Sequence, residues 1–296
     1  MKFAAIDVGS NAIRLLLYRV EQYGDEPVYE KVSNIRMPIR LGEDAFVHGK
    51  ILEEKAEQFV KSMIGFKHLL DAYDPIDFMA YATSAMREAG NSQEIVDRVR
   101  DECGIELTVI SGRTEAKTIY SNRIEKILVN HDGPYLHIDV GGGSTELILF
   151  NKDKVLAYRS FNIGAIRMIQ GLVPKKECDK MQEWVMSVTA KDQPVSAIGS
   201  GGNINKMFRL SNTKEGNVLS YEEMVKVYDY LNSYSLEERI SKVGLRPDRA
   251  DIIIPAAKIY MSVMKWANVD TIHVPKLGLG DGMIHLMYEK YRKNFV

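Results

Sequence analysis

The feature that most constrains this chain is a pattern written twice. Leu136 to Asp139 is apolar until its carboxylate, Gly141-Gly142-Gly143 follow, and a second apolar run starts at Thr145 and continues to Phe150. Ala5-Ile6-Asp7-Val8-Gly9-Ser10-Asn11, followed by Ile13 to Tyr18, repeats the plan. Each copy reads as strand, tight turn, strand, with glycine where the backbone takes a special conformation or lets another group approach. Recurrence at this separation predicts two related domains rather than a short-period solenoid. Successive N–H groups in such turns form a nest for an anion, phosphate above all. Asp139 and Glu146 place two carboxylates at the rim of the second turn, where a hard cation could bridge them to phosphate oxygens. One glycine motif alone would be a weak signal and equally an ordinary hairpin. A third turn, Ala197-Ile198-Gly199-Ser200-Gly201-Gly202-Asn203, lies between an apolar run and a helix pattern.

Elsewhere strands alternate with helices, which makes the chain α/β. Ile51 to Tyr73 carries one apolar face and halts at Asp74-Pro75, the signature of a long helix. Val28 to Arg36 is read as a third strand, and the segment from Arg36 to Gly42 as a loop or edge. Ile105 to Ile110 is read as a strand leading into a helix from Ala116 to about residue 128. Asn91/Glu94, Ser220/Glu223 and Ser235/Glu238 have capping-box spacing. Leu277 to Gly282 reads as a glycine turn before a closing helix from Met283. Residues 129–134 look like the joint between halves, and His131-Asp132 there as turn residues rather than metal ligands. The expected domains are 1–125 and 126–296, with the last helix able to pack back on the first.

At 296 residues there is length for two cores. A net charge of −1 argues against a nucleic-acid binder driven by bulk charge and says nothing against a local basic groove for a polyanion. Cys103 and Cys178 have no metal or redox spacing, and no apolar run approaches the ~20 residues that span a bilayer. The expectation is a cytoplasmic protein without a membrane or nucleic-acid partner, with room for a homodimer.

Five motifs occur in order: Ile6-Asp7-Val8-Gly9-Ser10-Asn11; Ala82-Thr83-Ser84-Ala85-Met86-Arg87-Glu88-Ala89; Ile110-Ser111-Gly112 with Glu115-Ala116; Asp139 to Glu146; and Gly164-Ala165-Ile166-Arg167. Together, and with Arg249-Ala250-Asp251-Ile252, they resemble the exopolyphosphatase/guanosine-pentaphosphatase (Ppx/GppA) family of the actin-like ATPase and sugar-kinase superfamily. The resemblance spans essentially the whole chain. It implies two ribonuclease-H-like, actin-like ATPase domains flanking a central cleft. It also implies Mg²⁺-dependent hydrolysis of a terminal phosphoanhydride, in inorganic polyphosphate or a guanosine penta- or tetraphosphate.

On that resemblance Glu115 matches the catalytic glutamate that orients or deprotonates the attacking water. Arg87 would grip equatorial phosphate oxygens. Gly9, Ser10, Asn11, Gly141, Gly142, Gly143, Ser144, Thr145 and Gly201 would hold phosphates. Asp139 and Glu146 are the best Mg²⁺ or water-orienting carboxylates, with Asp7 as a contributor. Thr114 stands where the family commonly has a second acid, Lys117 where Arg is common, and Asn203 where Thr is usual. Leu279-Gly280-Asp281-Gly282 also lacks an Arg often found there. Two other readings compete: a superfamily kinase with ATP at the Gly199–Asn203 turn, and a non-catalytic polyphosphate or alarmone sensor. Transfer of label from ATP to an acceptor marks the kinase, and absence of phosphate release marks the sensor.

Overall fold

A computed structural model describes residues 1–24, 26–122, 133–151, 154–190, 194–212 and 215–295. The chain divides into two units, Met1–Asn122 with Gly278–Val296, and Arg123–Leu277. The expected domain boundary at 125/126 and the His131-Asp132 pair lie outside the described residues.

In the first unit, β1 (Lys2–Val8), β2 (Ile13–Tyr23) and β3 (Glu26–Met37) form an antiparallel meander. α1 (Leu41–His48) and α2 (Glu53–Tyr73) lead to β4 (Asp77–Ala82), which runs parallel to β1. α3 (Ser84–Glu88) and α4 (Ser92–Cys103) precede the short β5 (Thr108–Val109), and α5 (Gly112–Tyr120) follows. The sheet order β3-β2-β1-β4-β5 is the ribonuclease-H-like one. Central β1 is apolar on both faces because both are covered: Ala4, Ile6 and Val8 join one core cluster, Phe3 and Ala5 another. α2 buries Ala56, Phe59, Val60, Met63, Phe66 and Leu70 at helical spacing, and stops at left-handed Asp74.

Four local expectations change. Leu41 and Gly42, expected in a loop or edge, open a helix that runs to His48, with Leu41 and Ala45 in the core. Asn91 stands at the N-cap of α4 but makes no cap bond; its amide instead accepts from Ile51 N–H at 3.0 Å and donates to Ile51 C=O at 2.8 Å. β5 is shorter than the apolar run because only Thr108 and Val109 pair with β4. α5 starts at Gly112 because the Ser111 hydroxyl accepts from Thr114 N–H at 3.1 Å and caps it there. Glu115 therefore lies inside the first turns of a helix.

The second unit opens with β6 (Tyr135–Val140), β7 (Thr145–Asn151) and β8 (Lys154–Phe161), again an antiparallel meander. α6 (Ala165–Ile169) and α7 (Lys175–Thr189) lead to β9 (Ser196–Ser200), parallel to β6. Then come α8 (Gly202–Leu210), β10 (Val218–Ser220), α9 (Tyr221–Asn232), α10 (Leu236–Ser241), α11 (Pro247–Ala250), α12 (Ile253–Trp266) and β11 (Thr271–His273). The order β10-β11-β9-β6-β7-β8 repeats the first sheet and adds β10 as an edge. Of the two remaining capping boxes, Ser235/Glu238 closes in both directions. Ser220 caps α9, but Glu223 turns to Asn212 N–H and Lys226.

α13 (Leu279–Phe295) belongs to the first unit, where Met283, Ile284, Met287 and Tyr288 pack with Phe3, Ala5, Leu16, Tyr18 and Val20. The expected glycine turn is in fact its first turn. Gly282 is needed for close packing, since a Cβ there would collide with the Thr118 carbonyl, and one at Gly280 would press on Leu16. Tyr18 and Lys31 both reach the Asp281 carboxylate, Lys31 at 2.7 Å. No helix among the described residues is long and apolar enough to cross a membrane.

Candidate active site

In the first hairpin, Gly9 N–H donates to Ala12 C=O at 3.1 Å and closes the turn. The chain after β3 occupies the turn's other carbonyls: Gly42 N–H donates to Ser10 C=O at 2.9 Å, and Arg40 N–H to Asn11 C=O at 3.2 Å. A trans peptide carries its N–H opposite its C=O, so carbonyls held on one side turn the following N–H groups to the other, which is how a nest arises. Arg40 holds this position in a left-handed conformation, φ 58°, a strained choice for a non-glycine residue of the kind that collects at working sites.

Asp7 and Arg14 are register partners across this hairpin, and their ion pair is 2.7 Å long. The Ser10 and Ser84 hydroxyls share a buried hydrogen bond of 2.8 Å. Arg87 lies in α3, just past the strand on which it was expected, and its Nη1 donates to Ile110 C=O at 2.8 Å. The same nitrogen is 3.7 Å from Glu115 Oε2. The first unit thus brings the expected cation and the expected base side by side, with the guanidinium anchored by a backbone carbonyl.

The second hairpin is built the same way with different donors. Gly141 N–H donates to Ser144 C=O at 2.9 Å. Ala165 N–H takes Gly141 C=O at 3.0 Å, Ile166 N–H takes Gly142 C=O at 2.9 Å, and Arg167 Nε takes Gly143 C=O at 2.7 Å. The start of α6 therefore holds the glycine carbonyls, and Gly164 is glycine because a Cβ would collide with the Gly142 peptide. The buried Thr145 hydroxyl is not turned to the nest; it donates to Ile163 C=O.

Asp139 and Glu146 are register partners, so their carboxylates lie on one face directly opposite each other. Glu146 is 2% exposed and accepts from the Ser160 hydroxyl at 2.9 Å. Like charges placed opposite one another are destabilising, and a cation bound between them would offset that cost. The donors are oxygens only, and among the described residues no group of three or more His, Cys, Asp or Glu could hold a metal. Two carboxylates completed by phosphate and water suit Mg²⁺, which is seldom held by an all-protein cage.

Gly201 has φ 103°, and a Cβ there would stand 3.1 Å from Asp139 Oδ1, so the third turn lies against the Asp139 carboxylate. Tyr260, fully buried in α12, reaches the same place: its hydroxyl accepts from Val140 N–H at 3.3 Å and donates to Ser200 C=O. Burial, with the nearby Asp139 charge, raises the phenol well above its usual range and keeps it protonated. In α8, Lys206 has its pKa lowered by burial and by the neighbouring charges of Arg249 and Arg209.

Several candidates escaped the sequence reading. Arg14 sits at the same spacing from Asp7 as Glu146 from Asp139, so the internal repeat itself could have revealed it. Tyr260 carried no local signal, because what makes it notable is its reach to strand ends distant in the chain. A groove of about 710 Å³ between β3 and α2, lined by Ile35, Met37, Lys61, Phe66 and Leu69 among others, contains none of the motif residues.

A model of the Ppx/GppA phosphatase family matches residues 20–291. Exopolyphosphatase 1 of Mycobacterium leprae is 24% identical over 96% of this chain and 88% of its own length. The guanosine-5'-triphosphate,3'-diphosphate pyrophosphatase of Pseudoalteromonas translucida is 22% identical over 95% of this chain and 57% of its own. The crystal structure of an exopolyphosphatase from Cytophaga hutchinsonii superposes with a TM-score of 0.84 at 24% identity, covering 98% of both chains. That likeness shows the fold.

Proposed function

The chain belongs to the Ppx/GppA phosphatase family, and from that premise we propose that it removes the terminal phosphate of inorganic polyphosphate or of guanosine pentaphosphate by in-line attack of water. The observation that carries this reading is the Asp139–Glu146 pair, two carboxylates facing each other beside a turn whose carbonyls are held away. Phosphoryl transfer asks the protein for positioning and charge neutralisation rather than covalent chemistry. Mg²⁺, when bound by Asp139 and Glu146, would supply much of that neutralisation.

The chain's own residues do the rest. The N–H groups of Ser10, Asn11 and Gly142–Ser144 bind phosphate oxygens, those of Gly9 and Gly141 being spent on closing their turns, with the Gly201 turn adding a further contact in the second unit. Arg14 keeps Asp7 neutralised and offers its remaining N–H groups to phosphate, so Asp7 acts through its arginine rather than as a metal ligand. Arg87 binds the transferring group. Glu115 orients the water and takes its proton.

Phosphate release from long polyphosphate, short oligophosphates and guanosine pentaphosphate, assayed in parallel, tests the activity and chooses the substrate. No release from any of the three would sink the reading. General-base assistance is worth about 10²–10⁴-fold, so Glu115→Gln should lose about that much kcat while still binding substrate. Turnover within about threefold of the unaltered enzyme would remove Glu115 from the role of base.

A further inference from the structure

The parallel strands β6 and β9 end together and then part. Asp139 and Ser200 are their last register pair. One chain continues into Gly141–Ser144, the other into Gly201-Gly202, so the backbone groups at the parting point lose their ladder partners. The first unit closes the corresponding gap from within: Thr83, just past β4, donates both its N–H, at 3.0 Å, and its hydroxyl, at 3.3 Å, to Val8 C=O. Gly201 and Gly202 bring no side chain to do this.

In the second unit the hydroxyl comes from α12. Tyr260 accepts from Val140 N–H and donates to Ser200 C=O, so one oxygen ties the two strand ends. A Cβ on Gly201 would lie 3.6 Å from that oxygen and 3.1 Å from Asp139 Oδ1. The phenol, the third glycine turn and the Asp139 carboxylate therefore share one small volume. A change in the spacing of the strand ends must move Asp139 against Gly201, and with it the partner of Glu146.

We infer that Tyr260 is a positioning residue that fixes the Asp139 carboxylate for Mg²⁺ by bridging Val140 and Ser200; this rests on the assignment of Asp139 as a metal ligand. The test is the affinity of the purified protein for Mn²⁺, measured by electron paramagnetic resonance without substrate. Residues that orient a metal ligand typically contribute 10–100-fold in metal affinity, so Tyr260→Phe should weaken Mn²⁺ binding by about that factor. In activity assays its half-maximal Mg²⁺ concentration should rise similarly, while kcat at saturating Mg²⁺ returns to within about threefold. A purely structural role would lower the active fraction and leave metal affinity unmoved.

Asp139→Asn, measured alongside, separates the two layers. If it binds Mn²⁺ like the unaltered protein, the metal assignment falls and this inference with it. If it loses Mn²⁺ while Tyr260→Phe does not, the role of Tyr260 alone is overturned. Should Tyr260→Phe not fold, Gly201→Ala presses on the same carboxylate from the other side of the gap. It should weaken Mn²⁺ binding too, and unchanged affinity there would equally overturn the inference.

Discussion

Across the β1–β2 hairpin Asp7 faces Arg14; across the β6–β7 hairpin Asp139, at the same place before the turn, faces Glu146. The backbones are alike, each turn closed by one glycine N–H and each with carbonyls held by a segment that follows the meander. The charges are opposite in effect. The first pair joins an acid to a base in one ion pair, whereas the second sets two carboxylates opposite each other, the pair proposed above to hold Mg²⁺. Two residues before each aspartate the contrast recurs, with Ala5 in the first strand and His137 in the second, both fully buried or nearly so. The nest is thus a property of the backbone, while the residue across the sheet decides what the nest is combined with.

Glu146→Gln would break the contrast most severely, since it removes the charge that makes the second hairpin unlike the first. Metal-borne charge stabilisation is worth several kcal/mol, so phosphate release should fall about 10³-fold. A loss below about tenfold would show that the acidic pair does not distinguish the hairpins in function.

His137 offers the next largest effect, on stability. Burial lowers its pKa to about 4, and neither ring nitrogen has a hydrogen-bond partner among the described residues. The unfolded chain, with a histidine near the ordinary value of about 6.5, takes the proton first. Stability is therefore full above about pH 6.5 and falls as pH drops toward the folded-state value. Between pH 6.5 and 4.5 the loss should be about 2–3 kcal/mol, on the order of a hundredfold in the folding equilibrium. His137→Leu, closer to the apolar residue of the first hairpin, should flatten that slope in urea unfolding at pH 7 and pH 4.5. Equal slopes for the two proteins would remove His137 as the cause.

Arg14→Gln should have the smallest effect and sharpen the contrast from the other side. Losing one charge-assisted contact to phosphate, about 1.4 kcal/mol, raises KM about tenfold. The Mg²⁺ requirement should stay where it is, and a shifted Mg²⁺ titration would mean that the Asp7 pair belongs to the metal site after all.

Much of the candidate site could be read from the residues in order. Asp139, Glu146 and the three glycines between them announce themselves because strand periodicity and turn chemistry are local. Ser235/Glu238 is a helix start for the same reason, as is the stop at Asp74. Asn91 shows the limit: its spacing fits a cap, yet its amide is more favourably spent on the backbone of Ile51, far away in the chain. Arg87 and Glu115 were named separately, and only folding sets them 3.7 Å apart.

The sequence by itself determined the doubled hairpin, the order of strands and helices, and which side chains carry charge at the turns. All of these follow from interactions within a few residues, so a local pattern encodes them. The tertiary structure alone decided that Gly280 and Gly282 serve close packing within the first turn of a helix, since a Cβ at either would collide with Leu16 or Thr118. It alone decided that Arg40 and Gly42 hold one nest and the start of α6 the other, and that Tyr260 closes the gap between β6 and β9. A backbone carbonyl that has left its ladder must find a donor somewhere, and nothing in its own neighbourhood of the chain says where that donor will come from.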